Sequence, residues 1–337
     1  MASSHLASEQ TDAGEFQRQE DAFREWISND GSTSYPAAAG RYHLYVSLAC
    51  PWASRTVIFR KLKGLEDSIG LTIVDPYRDE KGWAFRDPDR SRPGTLKDID
   101  KFESTDPING FRYLSEAYAA TDPKFDGRVT VPALWDKETK KIVNNCEDDI
   151  CIMFNNVFNA FAKNKGPALS GAQRSRTGVD LFPRDIEDEH AKLSDFLYDN
   201  INNGVYRAGF ATRQRVYEIS CKKLFDALDE MEKRLSKSRY LFGNRIVEAD
   251  WRLFCTLIRF DFVYHGHFKC NLRRIIDYPN LQGYLLDLYQ QPGIAETVSI
   301  DHIKRHYYMT HEEINPTRIV PLGPIVDLTR PHGRKRL

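Results

Sequence analysis

The chain has 337 residues, 41% of them hydrophobic and 28% charged, with 48 Lys and Arg against 48 Asp and Glu. That length predicts two packed domains in place of one small core or a repeat array. The balanced charge excludes the basic excess that a phosphate backbone demands, and no apolar run approaches the ~20 residues that cross a bilayer, so neither nucleic acid nor membrane is an expected partner.

The opening MASSHLASEQTDAGEFQRQE lacks both a signal-peptide core and an Arg-rich transit pattern, which fits a cytoplasmic location. It reads as a disordered or loosely held arm, bounded here at residues 1–40. RYHLYVS then alternates with aromatic and β-branched residues and predicts a first strand from Arg41 to Ser47. A helix follows, with Pro51 at the first helical position, Val57, Ile58 and Leu62 on one face, and Gly64 ending it. LTIVD, Leu71 to Asp75, is the second strand. The stretch from Pro76 to Gly110 is dense in Asp, Arg, Pro and Gly, a loop long enough to suggest a site or an interface.

GFRYLSEAYAA predicts a short helix, and GRVTVPALWDKETKKIVNN two strands with a turn around Lys137 to Lys140. The order βαβ, α, ββ, α, with Pro132 at the mouth of the third strand, outlines a thioredoxin-like domain over residues 41–160. Beyond it the strand signals fade, and residues 161–310 read as an all-helical domain. Leu224, Leu228, Met231 and Leu235 mark one buried stripe there. Ile246 and Trp251 bracket a helix start at Val247. Residues 311–337 form a Pro-rich extension that ends in a basic tail, RPHGRKRL, read as flexible.

Six cysteines (Cys50, Cys146, Cys151, Cys221, Cys255 and Cys270) occur without a C-x-x-C pair, a pattern of reduced thiols and not of a disulfide framework or structural zinc. The pairs His302 and His306, and His265 and His267, lack a Cys or carboxylate at ligand spacing and are assigned to packing or solvent; no metal is expected. Cys50 differs from the other thiols. It precedes Pro51, at the N-terminus of a helix that follows a strand, where exposed N–H groups and the helix dipole favour a thiolate. Pro51 also biases Cys50 toward an extended backbone. Ala53 occupies the place of a resolving thiol, so a second thiol has to come from outside, and glutathione is the obvious donor for a mixed disulfide. If the Val131–Pro132 bond is cis, the Val131 backbone can pair with the cysteinyl part of that tripeptide; the alternative is an ordinary edge-strand start.

The motifs ACPWASR, GRVTVPALWD, NNGVYRAGFAT, EADWRLF, VYHGHFKCNLRR and HIKRHYY, spread over Gln17 to Pro324, resemble those of the glutathionyl-hydroquinone reductases, the xi-class glutathione transferases. The resemblance implies a thioredoxin-like N-terminal domain plus an all-α C-terminal domain, glutathione as co-substrate, and a homodimer. It implies that Cys50 attacks the sulfur of an aromatic glutathionyl-hydroquinone and is then freed by a second glutathione. Tyr206 and Tyr307 would line the quinone pocket with a catalytic role, beside Tyr264. Trp83 would contact glutathione. Arg128 suits a glutathione carboxylate or simply solvent. The sequence departs from the family where Asn-Glu-Ser is usual: Cys146 and Glu147 stand at the positions that hold the γ-glutamyl end, predicting weakened or altered glutathione binding. Ser54 replaces the family's His after CPWA. These departures admit two alternatives: a pathway-specific transferase-like enzyme acting on an aromatic or quinone intermediate, and a non-catalytic binder of aromatic ligands.

Overall fold

The computed structural model describes Glu9 and residues 11–86, 105–162, 174–175, 178–335 and 337. The chain separates into one unit of residues 21–165 and another of residues 1–20 with 166–337.

In the first unit two short parallel strands, β1 (Ile27–Ser28) and β2 (Tyr35–Pro36), precede β3 (Tyr42–Val46), α1 (Pro51–Leu62), β4 (Ile69–Ile73), α2 (Leu114–Thr121), β5 (Ala133–Asp136), β6 (Lys141–Asn144) and α3 (Glu147–Asn156). A four-stranded sheet runs in the order β4, β3, β5, β6, with β3 and β4 parallel and the other pairs antiparallel. Every residue of β3 is buried, as expected of a central strand covered on both faces. Gly70 is required on β4, because a Cβ there would collide with the His43 ring on β3. The strand and helix order is that of the predicted thioredoxin-like domain. Part of the long loop after β4, residues 87–104, lies outside the described residues.

The arm expectation needs correction for its described part. Phe23 packs on Tyr118 and Phe125, Arg24 forms a two-pronged ion pair with Asp149 at 2.8 and 2.6 Å, and Ile27 is buried. Earlier in the chain, Phe16 packs on Tyr206 and Phe210 of the second unit, and Gly14 accepts the Thr212 N–H. Residues 1–8 and 10 of the arm lie outside the described residues.

The second unit holds a short hairpin, β7 (Arg174–Ser175) and β8 (Gly178–Val179), then α4 (Glu187–Leu197), α5 (Gly204–Gly209), α6 (Gln214–Leu235), α7 (Glu248–Arg259), α8 (Pro279–Tyr289) and α9 (Ile300–Thr310). The expected α6 stripe is buried, and α7 starts after Val247, whose N–H donates to the Asp250 carboxylate at 2.9 Å. The basic tail is not flexible at its centre. The buried Arg334 guanidinium donates to the carbonyls of Leu235, Ser238 and Asn280 at 2.8, 2.6 and 3.3 Å. Carbonyls at the end of a helix such as α6 lack intrahelical donors and attract a cation, which explains the anchor. Arg334→Ala is expected to cost about 2 kcal/mol and to make the last ten or so residues the first site of limited proteolysis; unchanged melting and cleavage would show that the anchor contributes nothing.

Candidate active site

Strand β3 delivers the chain through Ser47 to Cys50, which caps α1 with an extended backbone, φ −76° and ψ 123°. The Cys50 N–H donates to the Ser47 carbonyl at 3.2 Å, and the Cys50 carbonyl accepts the Ser54 N–H at 3.0 Å, opening the helix. Pro51 is the first helical residue, where its missing N–H leaves nothing unpaired. None of the six cysteines is in a disulfide; Cys50 is partly exposed and the other five are buried. Its Sγ lies 3.6 Å from the Val131 carbonyl oxygen, across a Val131–Pro132 bond that is cis. The residue before Val131 is held in place: Tyr118 Oη donates to the Thr130 carbonyl at 2.8 Å, and Asn145 Nδ2 to Thr130 Oγ1 at 2.9 Å. A sulfur at a helix N-terminus beside an extended backbone edge can ionise and can dock a peptide-like thiol.

The start of α3 forms the second edge of this half. Cys146 caps α3, and its N–H donates to Asn144 Oδ1 at 2.8 Å. Burial pushes the Cys146 thiol up to about 12, with the Glu147, Asp149 and Asp21 charges adding to the effect, so it stays protonated. Glu147 is buried with its carboxylate 3.4 Å from the Arg55 guanidinium, which also bonds Asp148 at 2.5 Å. The Glu147 charge would repel a nearby carboxylate, and the buried Arg55 cation beside it offsets part of that charge. Among the described residues, the ligand atoms of Asp21, Cys146 and Glu147 lie within 4.8 Å of one another. A helix N-terminus and a protonated thiol make this a poor place for a cation.

Trp83 is buried in the loop after β4, with the Arg78 guanidinium 5.7 Å over its ring. Arg128 lies half-buried in the segment leading to Val131. Sequence reasoning missed Arg55 and Arg78. The available signal for Arg55 was its place on the helical face between Ala53 and Thr56, both buried; for Arg78 it was the basic residue ahead of the aromatic in YRDEKGW.

The second unit brings the three predicted tyrosines together. Tyr206 Oη lies 2.5 Å from Tyr307 Oη, which lies 2.9 Å from Tyr264 Oη. Tyr264 and Tyr307 are buried and Tyr206 is half-buried, so Tyr206 is the accessible end of the chain of hydroxyls. Two π-helical turns, Tyr198–Asn202 and Phe260–Tyr264, place α5 and Tyr264; such turns occur often at functional sites. Gly209 lets α5 approach Phe268, whose ring a Cβ would strike. Burial holds Tyr264 and Tyr307 well above the usual phenol range, with like-charge neighbours adding to it, so both keep their protons. Three linked phenol hydroxyls can donate to a ring oxygen and share the resulting charge. Of the four histidines assigned to packing or solvent, His267, His302 and His306 are buried and His265 is half-buried; desolvation pushes His302 down to about 3, and His267 Nε2 lies 3.1 Å from His311 Nδ1.

Comparison with known proteins adds to this geometry. Residues 49–156 match the glutathione S-transferase N-terminal domain and residues 213–286 the glutathione S-transferase C-terminal domain. The chain is 46% identical to glutathionyl-hydroquinone reductase YqjG of Escherichia coli K12, covering 95% of this chain and 92% of that one. A glutathione-bound structure of YqjG covers 94% of this chain and 97% of its own with a TM-score of 0.83 at 46% identity. The glutathione-S-transferase Xi of Phanerochaete chrysosporium covers 94% of this chain and 95% of its own with a TM-score of 0.85 at 44% identity.

Proposed function

Because the chain belongs to the glutathione transferases, in the xi class of the glutathionyl-hydroquinone reductases, we propose that it reduces S-glutathionyl-hydroquinones with glutathione through Cys50. The observation that carries the reading is the partly exposed Cys50 sulfur at the α1 N-terminus, 3.6 Å from the Val131 carbonyl, in a chain whose other thiols are buried. The Cys50 thiolate attacks the glutathionyl sulfur and forms a mixed disulfide. The ring carbon–sulfur bond breaks, and its electron pair stays on the ring carbon, which takes a proton. A second glutathione then displaces the first from Cys50 as glutathione disulfide, so one disulfide forms for each hydroquinone released.

Residues 41–160 are assigned to glutathione, with Val131 pairing its cysteinyl part, Trp83 and Arg128 contributing to its binding, and Cys146 and Glu147 meeting its γ-glutamyl end. Within residues 161–310, Tyr206 and Tyr307 serve the aromatic ring and its oxygen, with Tyr264 behind them. Residues 311–337 are assigned as an extension. We place the protein in the cytoplasm as a homodimer that needs no metal. Among the described residues no helix is long and apolar enough to cross a membrane, and the fully exposed Leu322 and Ile325 favour contact with a second copy. The test is to mix the protein with glutathionyl-menadiol and glutathione and to follow both products. Equimolar hydroquinone and glutathione disulfide are expected; no hydroquinone release would end the proposal.

The acidic edge of Asp21 and Glu147 favours a second reading, a specialised relative that acts on an aromatic or quinone intermediate and grips glutathione differently. A glutathione KM in the range of ordinary members, with menadiol among the best substrates, would remove it.

A further inference from the structure

We infer that Arg78 is a positioning residue for the Cys50 thiolate, a cation that the fold plants at the same sheet edge as the sulfur. This inference rests on Cys50 being the nucleophile. Strands β3 and β4 are parallel, with Val46 opposite Ile73, and the Val74 N–H extends the ladder to the Val46 carbonyl at 2.9 Å. Their carboxyl ends therefore emerge side by side. One leads within a few residues to Cys50, the other to Arg78, and ligands of open α/β sheets gather at such edges.

The loop that carries Arg78 is tied at several points. The Asp75 N–H donates to the Ala84 carbonyl at 2.9 Å, and Asp75 Oδ1 accepts the Tyr77 N–H at 2.7 Å. Asp79 accepts from Tyr113 Oη at 3.2 Å and from the Lys81 N–H at 2.9 Å. The Arg78 guanidinium lies on the buried Trp83 face, a seat that fixes its direction. Burial lowers the Arg78 pKa while the negative charge of Cys50 raises it. The attraction is mutual, so Arg78 favours the Cys50 anion to the same degree that Cys50 favours the Arg78 cation.

Among the described residues, Arg128, half-buried on the approach to Val131, is assigned to glutathione. Arg55 of α1 is engaged by Asp148 and Glu147. Cys146 of α3 is protonated. Asp75 and Asp79 hold loop donors, and the β5 side presents the neutral Val131 carbonyl. Among the described residues, Arg78 is the cation assigned to the sulfur, supplementing the helix amides.

The test is the pH dependence of Cys50 alkylation by iodoacetamide, read on the Cys50 peptide by mass spectrometry, in wild type, Arg78→Met, Arg78→Gln and Arg78→Lys. Melting temperatures identify any variant that fails to fold. In the two neutral variants the midpoint is expected to rise by about one pH unit, and in the lysine variant to return most of the way. An unchanged midpoint in either neutral variant that folds would overturn the inference. So would a raised KM for glutathione with an unchanged midpoint, which would assign Arg78 to a substrate carboxylate. Alkylation needs no turnover, so a shifted midpoint in a protein that releases no hydroquinone would keep this inference and reject the proposed reaction.

Discussion

Cys50→Ser is expected to lower kcat/KM for glutathionyl-hydroquinone reduction by about 10³-fold or more while leaving the fold and aromatic-ligand binding intact. The serine hydroxyl fits where the sulfur sits, and the extended cap, the Ser47 bond and Pro51 do not depend on the thiol. What disappears is the anion, because a helix N-terminus can hold a thiolate near neutral pH but not an alkoxide. The other thiols offer no substitute. Burial raises the Cys146, Cys221 and Cys270 thiols, and Cys151 and Cys255 are buried as well. A variant that retains a tenth or more of wild-type turnover would place the nucleophile elsewhere.

Removing one phenol hydroxyl is the second large effect. Tyr206→Phe and Tyr307→Phe are each expected to lower kcat about 10²-fold, the range of a lost general acid. Tyr307 bonds both other tyrosines, so Tyr307→Phe removes two hydrogen bonds and should cost about 1–3 kcal/mol of stability; Tyr206→Phe removes one, leaves Tyr307 bonded to Tyr264, and should cost less. The three hydroxyls act in series, so the double variant should lose little more activity than the worse single variant. Losses that multiply would show two independent roles. Unchanged kcat in both single variants, with normal melting, would confine the cluster to structure.

Much of the sheet-bearing half could be read directly. The alternation of YHLYV, Pro51 after the strand, and the turn between ALWD and KIVN each reflect local backbone chemistry, and each is found where expected. The position of Cys50 was legible for the same reason: its place as the extended cap of α1 follows from its immediate neighbours. The meeting of Tyr206, Tyr264 and Tyr307 was not, since their spacing shows no period; it came from resemblance, and α5, α9 and a π-helical turn bring them together. The arm and tail misled because polar composition conceals a few anchors. Phe16, Phe23 and Arg334 find partners far along the chain, which no local pattern reveals. Arg55 escaped notice likewise: a buried cation is explained by its partners, and those come from α3.

The identity of the nucleophile is most directly tested by mixing the protein with a stoichiometric glutathionyl-hydroquinone in the absence of free glutathione, quenching with acid and mapping the peptides by mass spectrometry. The mechanism predicts a single glutathione adduct on the peptide containing Cys50, formed in step with hydroquinone release and removed when glutathione is added. Hydroquinone release without that adduct, or an adduct confined to Cys146, would contradict it.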